Sequence, residues 1–159
     1  MLDSNFIKVL QNRLMKYEFS AGGVVFREIN GTIEILLAQH SQHHGWGFPK
    51  GLMGDHKEGE GKEETAMREV QEETGATGMI LHPLAAVSFW YQWQNEKRKK
   101  TVYYYVMKYI EGDISKHDFE MENVVWVPSE KVKEKLTYNA DKNVWKEAKK
   151  YINNFAKNT

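Results

Sequence analysis

Three carboxylates set the chemistry open to this chain. Glu69, Glu72 and Glu73 stand at i, i+3 and i+4 in Arg68-Glu69-Val70-Gln71-Glu72-Glu73-Thr74-Gly75, so a helix here puts all three on one face within about one turn. Like charges at that spacing repel, and a surface helix has no structural need of them. A hard divalent cation does need them, because Mg²⁺ takes oxygen ligands and is held by a few carboxylates together with substrate phosphates. Ahead of the helix runs a loop rich in glycine, with Gly45, Gly47, Gly51, Gly54, Gly59 and Gly61, and carrying Pro49 and Lys50. Glycine lets backbone approach a ligand closely, and a lysine ammonium is a point-charge partner for phosphate. Loop, helix and carboxylate face converge on one ligand class, a polyphosphate.

The elements that must position these groups follow from periodicity. The helix is expected to begin near Gly61 and end before Gly75, with Glu63 and Glu64 in its first turn and Ala66, Met67 and Val70 as its buried stripe. Upstream, Phe6, Ile7, Leu10 and Leu14 recur at helical spacing over residues 4–16, with Ser4 as a cap, giving a helical extension over residues 1–17 before a domain over 18–159. Ser20 to Arg27 reads as a strand, Asn30-Gly31 as a tight turn, and Thr32 to Ala38 as a second strand buried on both faces at its end. Downstream, two aromatic-rich runs, Ala85–Gln94 and Thr101–Ile110, read as a long hairpin with the basic stretch Glu96–Lys100 at its tip. Alternation puts Tyr103 and Tyr105 on one face and Tyr104 on the other, with Tyr103 a candidate for substrate contact. Asn123 to Pro128 is a last short strand, Ser129 caps a short helix through Leu136, and Asp141 to Lys157 is an amphipathic closing helix. Strands around a central helix, then a hairpin and terminal helices, make an α/β protein with a mixed sheet sandwiched by helices.

Gly54, Glu60, Arg68, Glu69, Val70, Glu72, Glu73, Gly75 and Ala76 fill the spacing of a known signature without a gap. The chain resembles the Nudix hydrolases, and over residues 20–155 the resemblance implies their α/β/α sandwich. Trp46-Gly-Phe-Pro-Lys-Gly51 is similar to the branch of asymmetric dinucleoside tetraphosphatases, with about three residues inserted between Pro-Lys-Gly and the box. The resemblance implies Mg²⁺, with Mn²⁺ as a substitute, held by Glu69, Glu73 and Glu72 with a loop carbonyl from Gly51 or Gly54. It gives Arg68 an orienting role beyond an ordinary helix salt bridge. It also suggests a further metal-binding or base carboxylate ahead of Trp126, for which Glu120 is chosen before Glu122, and a base-stacking role for Tyr138. The general base stays open among Glu72, Glu60 and Glu120, since basicity depends on distances and burial.

The remaining residues bound the function. The loop Gln39–Trp46 holds His40, His43 and His44; their spacing fits no zinc signature, and hydrogen bonding to phosphate or base, with His44 the candidate, stands against a solvated loop. Trp46 is either a core plug or a stacking surface. Lysine plus arginine and aspartate plus glutamate balance at 22 each, so no basic field is available to hold long nucleic acid. There is no cysteine and no long apolar run, which fits a soluble cytoplasmic monomer or homodimer without disulfides or a membrane span. The expected activity is hydrolysis of a nucleoside diphosphate linked to another group, foremost a dinucleoside polyphosphate such as diadenosine tetraphosphate. The alternatives are an RNA 5′-pyrophosphohydrolase, a phosphatase of oxidised nucleoside triphosphates, and a nucleotide sensor without turnover.

Overall fold

The computed structural model describes residues 3–7, 16–54 and 57–159. Alternating burial on long strands builds the frame. Strand β1 (Lys16–Ile29) sends Val24 and Phe26 to one face and Val25 to the other, and β2 (Thr32–His40) does the same with Ile35 and Leu37 against Leu36. Both faces are apolar because both are covered, as expected for a layered α/β sandwich. Asn30 and Gly31 adopt the positive φ angles of a tight hairpin turn between these strands.

The sheet is mixed and eight-stranded. The remaining strands are β3 (Trp46–Gly47), β4 (Lys50–Leu52), β5 (Ala76–Pro83), β6 (Val87–Trp93), β7 (Glu96–Gly112) and β8 (Met121–Pro128). β1 runs parallel to β7 along one edge. Its other edge is divided: Phe26 to Ile29 pair with β2, whereas Ser20 to Gly22 pair with β4. The sheet opens where β1 changes partner, and the cavity described below lies at this split.

Helix α1 (Lys62–Thr74) covers one face through Ala66 and Val70, packed with Val25, Leu36, Tyr105 and Met107. Helices α2 (Val132–Lys135) and α3 (Asn139–Lys157) cover the other through Val132, Val144, Trp145, Ala148 and Ile152. Helix α1 ends where glycine permits it to. The Gly75 N–H donates to Gln71 O at 2.8 Å with Gly75 at φ 77°, and an added Cβ would overlap Asp113 O. Gly75→Ala is therefore expected to cost about 2 kcal/mol and lower the melting temperature by several degrees, measured by thermal denaturation.

Several sequence expectations need correction. Met67 is exposed, and the buried stripe of α1 is completed by Thr65, Glu69, Glu73 and Thr74 instead. The basic run is not a hairpin tip. The turn falls on Gln94 and Asn95, both at positive φ, so Glu96 to Lys100 lie within β7 and pair with β6. The alternation of the tyrosines is as expected, Tyr103 and Tyr105 on one face and Tyr104 on the other, with Tyr104 and Tyr105 both buried because this part of the sheet is covered on both sides. Ser129 starts a 3₁₀ turn and makes no side-chain cap. At the N-terminus, residues 4–7 form a helical turn capped by Asp3, whose carboxylate accepts from Asn5 N at 3.2 Å, rather than by Ser4. Lys16 already belongs to β1, and Leu10 and Leu14 lie outside the described residues.

Candidate active site

Helix α1 presents its acids to a cavity of about 350 Å³ at the split in the sheet. Glu69, Glu72 and Glu73 line it from α1, Lys50 and Gly51 from β4, and Glu120 from the residue before β8. Gly51 lies flush against Glu69, and a Cβ there would overlap the Glu69 carboxylate. Gly54 is absent from the lining. Its backbone N–H donates to Glu60, so of the two loop glycines only Gly51 borders the carboxylates.

The acids differ sharply in surroundings. Glu73 is 5% exposed and accepts from the Lys50 backbone N–H at 3.1 Å. Burial pushes its carboxyl up to about 8, opposed by that N–H and reinforced by the neighbouring Glu69 charge. Burial raises Glu69 as well, and the Arg68 guanidinium pulls it back. Arg68 is the hub. It forks onto Glu60 through Nε at 2.7 Å and Nη2 at 2.8 Å, and shares Nη1 between Glu69 at 2.8 Å and Glu72 at 3.0 Å. Buried Glu60, held also by the Thr65 hydroxyl at 2.6 Å, is lowered to about 2, chiefly by Arg68.

A carboxylate depressed in the folded state adds stability above its unfolded value near 4.5 and loses it as the pH falls toward about 2. Glu60→Gln is accordingly expected to be less stable than wild type at neutral pH. The gap should close as the pH falls through that window, as urea melts across pH would show.

The cavity gathers some sequence candidates and leaves others outside. Lys50, Glu69, Glu72, Glu73, Gly51, Glu120 and Tyr138 line it. Glu60 and Arg68 stand behind the helix face, engaged with each other. Trp46 is partly buried against the core beneath the Lys135 ammonium at 4.0 Å and is not among the residues that line the cavity. His44 is turned outward onto Glu122, Nδ1 to Oε1 at 2.6 Å, and it is His40 and His43 that reach the cavity. Tyr103 stacks on Phe19 under the Lys62 ammonium at 4.1 Å and does not line it. Sequence reasoning missed Ser20, Lys100, Asp118 and Asp141, all of which do. Lys100 belongs to the basic run expected at a hairpin tip, and Asp141 opens the expected amphipathic closing helix with no spacing that marks it as a site residue.

The NUDIX domain family model matches residues 16–151. The chain belongs to the Nudix family. It is 35% identical over 128 residues to the MutT4 protein of Mycobacterium tuberculosis (strain CDC 1551 / Oshkosh), across 77% of this chain and 50% of that one. It is 29% identical over 134 residues to the 8-oxo-(d)GTP phosphatase of Mycolicibacterium smegmatis, across 79% and 39%. The chain thus spans half or less of the length of these curated relatives. Its fold matches that of the C. elegans Ap4A hydrolase in a binary complex with a TM-score of 0.68 at 24% identity, covering 86% of this chain and 98% of that chain. Its mixed-sheet fold is that of the family.

Nudix hydrolases use divalent metal ions and act on small nucleotides. The donor set fits such an ion: two nearly buried carboxylates, Glu69 and Glu73, face a cavity with Glu72 and Glu120 beside them. Among the described residues no three acidic or histidine side chains are already drawn into ligating geometry. Arg68 Nη1 donates to both Glu69 and Glu72. No helix among the described residues is long and apolar enough to cross a membrane.

Proposed function

We propose that the protein is a Mg²⁺-dependent pyrophosphohydrolase that cleaves a nucleoside diphosphate linked to a further group, foremost a dinucleoside polyphosphate. The observation that carries this reading is that Glu69, Glu72, Glu73 and Glu120 line one cavity together with Lys50 and Lys100. Acids and ammonium groups gathered at one cavity are what a metal-bound polyphosphate requires. Glu69, Glu72 and Glu73, with the Gly51 carbonyl, would hold Mg²⁺, which when bound neutralises phosphate charge and acidifies an attacking water. Lys50 and Lys100 would take phosphate oxygens. Glu120 or Glu72 would receive the water's proton, both being at the cavity, whereas Glu60 would position Arg68, and through it Glu69 and Glu72. Tyr138, 45% exposed at the cavity, would stack on a base.

In this reading one nucleoside and its phosphates would occupy the cavity and the second nucleoside would lie outside it. Diadenosine tetraphosphate, hydrolysed with Mg²⁺ and resolved by chromatography, is expected to give ATP and AMP. Two molecules of ADP would contradict asymmetric attack. A second reading, hydrolysis of oxidised nucleoside triphosphates, is favoured by the similarity to the mycobacterial 8-oxo-(d)GTP phosphatase, and 8-oxo-dGTP in the same assay separates the two by their kcat/KM.

A further inference from the structure

The strands β1, β7 and β6 reach past the start of α1, and there they sort their side chains by face. Register sets Tyr17 of β1, Lys99 of β7 and Trp90 of β6 in one row, with Phe19, Thr101 and Ser88 in the next row on the same face. Along β7 this alternation continues through Tyr103 to Tyr105, which packs with Ala66 and Val70 of α1. The cover stops where α1 begins, at Lys62, whose ammonium lies 4.1 Å from the Tyr103 ring. Beyond it the sheet face is bare: Tyr17 is 56% exposed, Trp90 48% and Phe19 45%. The rings adjoin in pairs, Tyr17 with Trp90 and Phe19 stacked on Tyr103, each at 6.5 Å.

Bare rings alone suit many partners, and the charges narrow the choice. Lys97 and Lys99 stand 4.7 and 5.6 Å from the Trp90 ring. With Lys62 they form no ion pair among the described residues. The acids of these strands lie on the opposite face, where Arg98 donates to Glu18 at 2.8 Å and to Glu96 at 2.9 Å, and Lys16 lies 3.7 Å from Glu96. Lys100, next to Lys99, shares that opposite face and lines the cavity. Glu63 and Glu64 bound the bare face at its α1 end, beside Tyr105. The balance of 22 acidic and 22 basic residues over the whole chain conceals this local sorting. Two copies packed through the bare face would set lysines against lysines. Phosphates joined to flat rings satisfy both the ammonium groups and the aromatics.

We propose that this face of β1, β7 and β6 binds single-stranded nucleic acid, its bases stacking on Trp90, Tyr17 and Phe19 and its phosphates taken by Lys97, Lys99 and Lys62. Aromatic rings set among lysines on an open sheet hold a strand without reading its sequence, because every base has a flat face and every nucleotide a phosphate. From Lys97 to Tyr103 the surface runs about 20 Å, room for about four nucleotides. A duplex hides its base faces and offers phosphates alone. The inference goes beyond the hydrolase reading and does not rest on it.

The test is fluorescence anisotropy of 5′-hydroxyl oligouridylate and oligodeoxythymidylate of about ten nucleotides, in EDTA, so that neither metal nor a terminal phosphate directs the strand to the cavity. The RNA and DNA strands are expected to bind alike, and at least about tenfold more tightly than a duplex of the same length at physiological salt. The logarithm of affinity should fall against that of salt with a slope of about −2, as for about three phosphate contacts on a single strand. Trp90→Ala should weaken binding at least about fivefold with the slope unchanged, and Trp90→Phe should restore most of it. Lys97→Ser combined with Lys99→Ser should flatten the slope to about −0.7. Thermal melts check that each variant folds, and the comparison of strand with duplex needs no substitution. The inference is overturned by no binding of either strand at low salt, by equal binding of the duplex, or by binding that Lys50→Ala abolishes and Trp90→Ala leaves intact. It is overturned equally if neither strand binds and Trp90→Ala instead abolishes a wild-type dimer or capture by anionic phospholipid vesicles, which would give the face to a second copy or to a lipid surface.

Discussion

Glu73→Gln is expected to lower Mg²⁺-dependent kcat by at least about 10²-fold while leaving the metal-free protein as stable as wild type or more so. Both halves come from its position. Glu73 is almost fully buried at the cavity, its one described hydrogen bond is from the Lys50 N–H, and glutamine keeps a carbonyl oxygen to accept it. What glutamine removes is a negative charge held in a poorly solvated place beside Glu69. The sign with pH is fixed by the raised carboxyl. Its contribution to stability is present below the unfolded value near 4.5 and is lost as the pH rises through about 8. In EDTA, the variant should therefore gain on wild type progressively across that window, read from melting temperatures at each pH. A variant that loses both activity and stability would make Glu73 a structural acid.

Lys50→Ala is expected to cost about 10²-fold in kcat/KM, close to 2.7 kcal/mol of transition-state stabilisation. The Lys50 backbone, which holds Glu73, is untouched by the substitution, so the loss isolates the ammonium group. Lys100, on β7 and half-buried at the same cavity, carries a second positive charge, which burial and then the Lys50 ammonium push below the usual lysine value. Neither ammonium has a carboxylate within ion-pair distance among the described residues, which is why both are proposed to take phosphate oxygens. If kcat/KM is unchanged in Lys50→Ala, measured against substrate concentration at fixed Mg²⁺, the polyphosphate does not use this wall.

The part of the site legible in sequence is the part built within one helix. Glu69, Glu72 and Glu73 are placed by 3.6-residue periodicity, and Gly75 closes α1 where a left-handed residue is needed. The Asn30-Gly31 turn and the apolar alternation of β1 and β2 were readable for the same reason, since each is a local rule. What escaped was set by convergence. Lys100 was hidden because the turn uses Gln94 and Asn95, without glycine, and moved the basic run into a strand. Asp141, Asp118 and Ser20 come from three distant elements, and no spacing joins them before the sheet splits around β4. Conversely, Trp46, open by type between core plug and stacking surface, packs against the core, and Tyr103 stacks on Phe19; neither lines the cavity.

The most direct test of the central claim is phosphate-bond hydrolysis by wild type and Glu73→Gln, each in Mg²⁺ and in EDTA. The panel holds diadenosine and diguanosine tetraphosphate, 8-oxo-dGTP, 5′-triphosphorylated RNA and ADP-ribose. The predicted result is turnover by wild type in Mg²⁺ alone, fastest on a dinucleoside tetraphosphate, and at least about 10²-fold slower in the variant. Turnover in EDTA, or equal turnover by Glu73→Gln in Mg²⁺, would contradict a metal centre built on α1.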